Sequence, residues 1–393
     1  MKSDVLGLSF AGFEAQVATL PSGRGVAGRV YARAFERGRL DLEGLGLAER
    51  SVAAYESAFG VKLLEVRRCV EEEGEFGATV KAVMACGDGA EVECVLIPMP
   101  PRPDGRKRAT ICLSSQVGCR MACSFCETGH GGLVRDLDAA EIVAQLVTAR
   151  VLLGWEPGNV VFMGMGEPLD NLENLLAALK VLTERRGLGF SWERITVCTS
   201  GIVSGIEALR ERGHRRLNLS LSLNAADDET RSRLMPANGR TGLAALAAAL
   251  AAYPGRRNFV LALNWCLLPG INDGPADARA AAAFASALGR GRGEGLGLAR
   301  AMFNLIPYNP GSRPLARAPT DAEVAAFAAL LEAEGCQVRT RSRKGSLIMA
   351  ACGQLSPGRD RQTVPSDRSS APGGGYAGTG PSPQVTNPKG NPP

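Results

Sequence analysis

The 393 residues are 45% hydrophobic with a formal net charge of +5, enough apolar content to bury a full core in one large domain with accessories. Eleven cysteines follow an opening, MKSDVLGLSF, that lacks the basic, apolar and small-residue segments of a secretory signal, so reduced thiols, metal ligation or catalysis are expected instead of a disulfide framework. No apolar run reaches the roughly 18 residues a membrane helix needs, and a cytoplasmic location is the expectation.

Along the chain, residues 1 to about 65 read as short amphipathic helices, among them Gly25–Arg37 and Ala48–Phe59. Three β-branched runs follow, Lys62–Val70, Ala78–Met84 and Glu91–Pro98, separated by Gly-rich turns. Alternation in the last run puts Glu91 and Glu93 on one face. The basic, Pro-rich stretch Pro98–Arg108 is a linker. Strand and helix patterns then alternate. Ala109–Ser115 feeds a cysteine loop, and Asp138 with Glu141 forms a capping box opening a helix to about Leu153. Asn159–Met163, Arg194–Thr199, Leu217–Leu223, Phe259–Cys266, Ala301–Ile306 and Gln337–Thr340 read as strands. Helices are expected over Glu173–Thr183, Gly205–Arg212, Leu243–Ala252, Pro275–Leu288 and Thr320–Glu334.

Six or so βα units with short connections argue for a partial parallel α/β barrel. An open doubly wound sheet is the alternative, but no G-x-G-x-x-G turn follows the first strand. The expected organisation is an N-terminal accessory unit over 1–100, a barrel core over 101–355 and a disordered tail over 356–393, where Pro, Gly, Ser and Thr replace apolar residues.

Cys119-Arg120-Met121-Ala122-Cys123-Ser124-Phe125-Cys126 carries the strongest chemical signal. Cysteines spaced C-x3-C-x2-C fit one tight loop. Closed zinc sites and fully cysteine-ligated clusters take four ligands; three thiolates on a 4Fe–4S cube leave one iron open to a small molecule. A zinc loop with a distant fourth ligand, or three unrelated buried thiols, are the bland alternatives. The cysteine loop, Gly166-Glu167, Ser200, Ser222 to Asn224 and Asn309 all fall at the C-terminal ends of expected strands, the face where α/β barrels place their chemistry. Basic clusters at Arg102, Arg106, Lys107 and Arg108, at Arg212, His214, Arg215 and Arg216, and at Arg339, Arg341, Arg343 and Lys344 suit phosphate contacts.

The cysteine spacing resembles that of radical S-adenosylmethionine (SAM) enzymes. Further pieces narrow it: Ala109-Thr-Ile-Cys-Leu-Ser-Ser-Gln-Val-Gly-Cys119, Met163-Gly-Met-Gly-Glu-Pro-Leu169, Thr199-Ser-Gly201, Ser222-Leu-Asn-Ala225, Asn304-Leu-Ile-Pro-Tyr-Asn-Pro310 and Ala350-Ala-Cys-Gly-Gln-Leu355. Together they are similar to the RlmN/Cfr family of RNA adenine methyltransferases. The resemblance implies a radical-SAM partial barrel, with Cys119, Cys123 and Cys126 holding a 4Fe–4S cluster. Gly166, Glu167, Ser200, Ser222, Leu223, Asn224 and Asn309 would bind SAM. Cys352 would accept a methyl group, Glu93 would remove the adenine ring proton, and Cys112 would attack Cys352 in a transient disulfide that frees the product. It further implies methylation at C2 of an adenine in 23S rRNA, with tRNA as a further candidate, a reductant such as flavodoxin or ferredoxin, and a monomeric enzyme.

Two departures stand out. Gly345-Ser-Leu-Ile-Met349 replaces a usually acidic stretch before Ala350, and Asn224 stands where many members carry His. The competing functions are C8 methylation of the same kind of base, a paralogue with another substrate, and a non-catalytic RNA-binding or redox protein. Retention of Cys112, Cys352 and all three cluster cysteines opposes the last. Cys69, Cys86, Cys94, Cys198, Cys266 and Cys336 read as small buried hydrophobes, and His130 and His214 are given no catalytic role.

Overall fold

A computed structural model describes residues 2–20, 23–253, 259–289 and 301–355. The expected disordered tail, 356–393, lies outside the described residues.

Among the described residues the N-terminal segment contains the α-helices α1 (Phe10–Val17), α2 (Ala27–Arg37) and α3 (Glu49–Ala58), the last two at the expected positions. Short strands β1 (Ser3–Asp4) and β2 (Phe59–Gly60) pair in parallel. Phe13 packs against Tyr31, Tyr55 and Phe59 with ring centroids 5.5, 6.4 and 4.7 Å away. These aromatics bury the apolar face of each helix, which is what stabilises helices this short.

The main sheet has ten strands in the order β14-β13-β12-β11-β10-β9-β6-β5-β4-β3. Strands β3 (Glu65–Glu72), β4 (Thr79–Ala85), β5 (Glu91–Met99) and β6 (Arg108–Cys112) form an antiparallel meander. From β6 onward the pairing is parallel, through β9 (Asn159–Phe162), β10 (Ile195–Thr199), β11 (Asn218–Ser222), β12 (Leu261–Leu267), β13 (Ala301–Pro307) and β14 (Gln337–Thr340). The β-branched runs of the N-terminal segment therefore extend the barrel sheet itself. A small hairpin of β7 (Gln116–Gly118) and β8 (Leu133–Asp136) encloses the cysteine loop and α4 (Glu127–His130); strands of three and four residues carry too little alternation to be read from sequence.

Helices α5 (Ala139–Leu153), α6 (Leu172–Thr183), α7 (Val203–Glu211), α9 (Gly242–Ala251), α10 (Pro275–Gly289) and α11 (Asp321–Ala333) follow the sequence pattern closely. The capping box at Asp138 forms as expected, and a second forms at Thr320 with Glu323. The short, highly charged α8 (Asp228–Leu234) is new. The crossovers link parallel neighbours, as in a partial α/β barrel. Among the described residues no helix is long and apolar enough to cross a membrane.

Candidate active site

The cysteine loop leaves β7 at Gly118, whose φ of 78° suits only glycine well. A Cβ there would stand 2.0 Å from Gly132 O, against which the two chains close through the Cys119 N–H to Gly132 O bond of 2.8 Å. Cys126 caps α4, and Gly129 lets that helix approach the backbone of Cys123, where a Cβ would lie 3.0 Å from its nitrogen. Burial pushes the Cys119 thiol up to about 12 and the Cys123 thiol well above its ordinary value, and the neighbouring cysteines add to both effects. Cys126 is likewise raised by burial, which N–H bonds from Gly129 and Thr128 oppose. Such clustered thiols favour a bound cation that takes over their protons.

The sulfurs nevertheless do not gather within 4.8 Å of one another; among the described residues the trio that does is Cys86, Asp88 and Glu141. Thiolates on a single zinc sit roughly 3.8 Å apart, given Zn–S bonds of about 2.3 Å. The three sulfurs are therefore spread more widely than the ligands of a single zinc ion. The Cys86 trio is no vacant site, because Arg135 already binds both carboxylates at 2.7 to 2.9 Å.

Beside the cysteines, Gly164 and Gly166 cross close to the segment after β6. A Cβ on Gly166, whose φ is 99°, would lie 2.6 Å from Gln116 Cβ. Gln116 is fully buried; its Oε1 accepts the Glu167 N–H at 2.8 Å, and its Nε2 donates to Asp136 and Asp170. The Glu167 carboxylate accepts the Ser200 N–H at 2.7 Å and the Leu169 N–H at 3.1 Å. Burial raises its pKa while those bonds lower it. A buried carboxylate in that balance gains from a cationic group brought beside it. Ser200 Oγ is buried without a well-formed hydrogen bond, although it lies close enough to Glu167 to favour the charged form. An unsatisfied hydroxyl in a polar cradle fits a ligand contact.

Arg231, absent from the sequence reading, ties this rim together. It is 2% exposed, and its guanidinium donates to the carbonyls of Ser200 (2.6 Å), Ser222 (3.3 Å) and Leu223 (3.1 Å) and to Asn238 Oδ1 (2.5 Å). Burial pulls its pKa down to about 10. Its place in the charged run of α8 makes it look like surface in a sequence.

Asn224 takes a left-handed conformation, φ 58°, which Asn tolerates better than most residues. Its side chain is engaged internally: Oδ1 accepts the Cys266 N–H at 2.8 Å and Nδ2 contacts Met235 Sδ at 3.2 Å. Asn309 donates to Pro307 O at 3.2 Å. Glu127, buried beside Cys126, accepts from Ser312 N and Oγ at 2.6 and 2.7 Å, which anchors the loop after Asn309 to the cysteine loop.

The remaining candidates converge from distant parts of the chain. Lys81 in β4 pairs with Val95 in β5, Val95 with Cys112 in β6, and Cys112 with Val161 in β9. Directly opposed residues share a face, so Cys112 and Glu93, two residues before Val95, point the same way. Glu93 is fully buried, not an exposed strand carboxylate, and its Oε1 lies 3.1 Å from Lys81 Nζ. Cys112 is buried while Cys352 is exposed; burial pushes the Cys112 thiol up to about 12, and the nearby Cys352 adds to the rise. All eleven cysteines are free thiols, so no Cys112–Cys352 bridge is present. Cys198 and Cys266 also lie within electrostatic reach of Cys352, closer to the site than their sequence reading suggests.

Cys352 lines a cavity of about 380 Å³ whose wall includes Asn309, Arg194, Arg339, Arg341, Arg343 and Lys344. The last basic cluster of the sequence therefore faces the site. In the Arg212–Arg216 cluster, by contrast, Arg212 pairs with Glu173 and Arg216 with Glu193.

A sequence model of the radical SAM superfamily matches residues 113–281, which takes in the cysteine loop and most of the glycine-rich rim. The dual-specificity RNA methyltransferase RlmN of Phenylobacterium zucineum is 39% identical over 318 residues, covering 79% of this chain and 77% of that protein. The RlmN of Lawsonia intracellularis is 36% identical over 360 residues, covering 90% and 96%. Among solved structures, a radical SAM methyltransferase from Sphaerobacter thermophilus superposes with a TM-score of 0.77 at 34% identity, covering 90% of this chain and 98% of that one.

Proposed function

Since the chain belongs to the RlmN family of radical SAM RNA methyltransferases, we propose that it methylates C2 of an adenine in 23S rRNA by way of a methyl group carried on Cys352. The relatives' designation as dual-specificity enzymes supports a second RNA class, and tRNA is the candidate. The cofactors are a 4Fe–4S cluster and SAM. Cys119, Cys123 and Cys126 would hold the first; Gly166, Glu167, Ser200, Ser222, Leu223, Asn224 and Asn309 would form the cradle of the second. Bound there, they supply a methyl group and, on one-electron reduction, the radical that activates it. A flavodoxin or ferredoxin is the proposed electron donor, and a cytoplasmic monomer the proposed form.

The chain's own residues do the rest. An adenine ring carbon is too weakly nucleophilic to take a methyl group directly, so Cys352 Sγ receives it. The exposure of Cys352 in a cavity walled by arginines suits a thiol that must meet RNA. The Glu93 carboxylate accepts the ring proton. Cys112 Sγ, as a thiolate, then attacks Cys352 Sγ: the S–S bond forms as the sulfur–carbon bond to the base breaks, and the released carbon keeps the electron pair and takes a proton to become the methyl group. The observation carrying this reading is that Cys112 and Cys352, thiols from opposite ends of the barrel core, lie within electrostatic reach of one another. Asn224, whose side chain and backbone are both engaged internally, would shape the wall of the cradle.

The test is mass spectrometry of anaerobically reconstituted protein with methyl-labelled SAM and rRNA fragments, comparing wild type with Cys112→Ala. Label on Cys352, 2-methyladenosine in released RNA and a trapped protein–RNA adduct in the variant are expected. Release of 8-methyladenosine would overturn the regiochemistry, and absence of label on Cys352 would overturn the methyl relay.

A further inference from the structure

The proposed chemistry leaves a buried charge beside Glu93 unused. Lys81 is 1% exposed, and lysine is almost never buried to that extent without partners. Its Nζ lies 3.1 Å from Glu93 Oε1 and donates to Met349 O at 3.1 Å. Met349 belongs to the loop that carries Cys352 and holds a left-handed φ of 52°. The start of the same loop is bonded to β3, where the Glu72 carboxylate accepts the N–H groups of Gly345 at 2.9 Å and Leu347 at 2.7 Å. One ammonium thus touches both the carboxylate read as the proton acceptor and the backbone of the segment read as the methyl carrier.

Resting on the proposed function, we propose that Lys81 is a positioning residue that sets Glu93 relative to the Cys352 loop. An ammonium is a compact charge with several donors, so it can serve a carboxylate and a carbonyl together. Its bond to the buried carboxylate is charged on both sides and its bond to the Met349 carbonyl on one side only. When the loop moves, the carbonyl bond breaks first and Lys81 stays with Glu93. The loop then returns to a fixed partner, and the base keeps its place whether the loop is in or out.

The test compares Lys81→Met, Glu93→Gln and the double variant by two readouts: hydrogen exchange of residues 345–352 in the protein without RNA, and accumulation of the Cys352–RNA adduct during turnover. Lys81→Met is expected to speed loop exchange roughly tenfold, the effect of one lost charge-assisted hydrogen bond. It should also accumulate adduct as Glu93→Gln does while label still reaches Cys352, and the double variant should accumulate no more than Glu93→Gln alone. Wild-type loop exchange in Lys81→Met, or adduct effects that multiply in the double variant, would overturn the proposal. If Glu93→Gln traps no adduct, the reading of Glu93 as base fails, and loop exchange still judges the tether. Should Lys81→Met not fold because the buried Glu93 loses its cation, the double variant decides: loop exchange faster than in Glu93→Gln supports the tether, and equal exchange refutes it.

Discussion

At the barrel rim, the loop of Cys119, Cys123 and Cys126 stands on glycine-enforced crossings, and Arg231 draws together the carbonyls of Ser200 and Leu223. In the segment around Cys352, Leu347 is 87% exposed, and polar ties to the backbone come from Glu72, Lys81 and the Glu127 N–H to Gly353 O bond. The rim is built to hold a charged group without moving. The loop is built from a few polar tethers, each breakable by itself, as a thiol that must visit two reactants requires. Rigidity and mobility are separated into different parts of one site.

The contrast can be broken most sharply at the rim. Cys126→Ala should lose bound iron and reduce RNA methylation to background; iron analysis with a methylation assay checks this, and retained iron with activity would remove the rim from the chemistry. Arg231→Met should come next, costing about 3–5 kcal/mol because several buried oxygens lose their shared donor at about 1–3 kcal/mol each, read from the urea unfolding midpoint. A near-neutral result would show that these bonds are not what stiffens the rim. Gly166→Ala forces a Cβ toward Gln116 at a positive φ and should cost about 1–3 kcal/mol together with a raised KM for SAM.

Alkaline pH probes the thiol between the two regions. Burial holds the Cys112 pKa at about 12, above the ordinary value of about 8.5. The folded state therefore favours the neutral thiol, so this contribution is complete below about pH 8.5 and is lost as pH rises toward 12. Melting temperature should fall with rising alkalinity, and Cys112→Ala should flatten part of that fall; identical slopes would assign the fall to other groups. The smallest effect belongs to the loop. Glu72→Gln should change global stability by no more than about 1 kcal/mol while speeding exchange at Gly345 and Leu347. A large global loss there would make the loop part of the rigid frame.

Much of this was legible beforehand because it is local. Cysteine spacing, the glycine turns and the capping box at Asp138 depend on neighbours a few residues apart, and the alternation of strand and helix patterns placed Gly166, Ser200 and Ser222 on one barrel face. The hairpin β7–β8 and helix α8 escaped notice because short or uniformly polar segments have no hydrophobic period to read. What the sequence by itself determined was the inventory: three clustered thiols, two remote ones, one acidic strand and a basic run near the loop. Only the tertiary structure decided the partnerships. Cross-strand register brought Lys81, Glu93 and Cys112 to one face, and packing turned Arg231 inward from a charged helix. Burial made these charges consequential, since an ion pair or guanidinium cage matters little in water and a great deal where water is excluded.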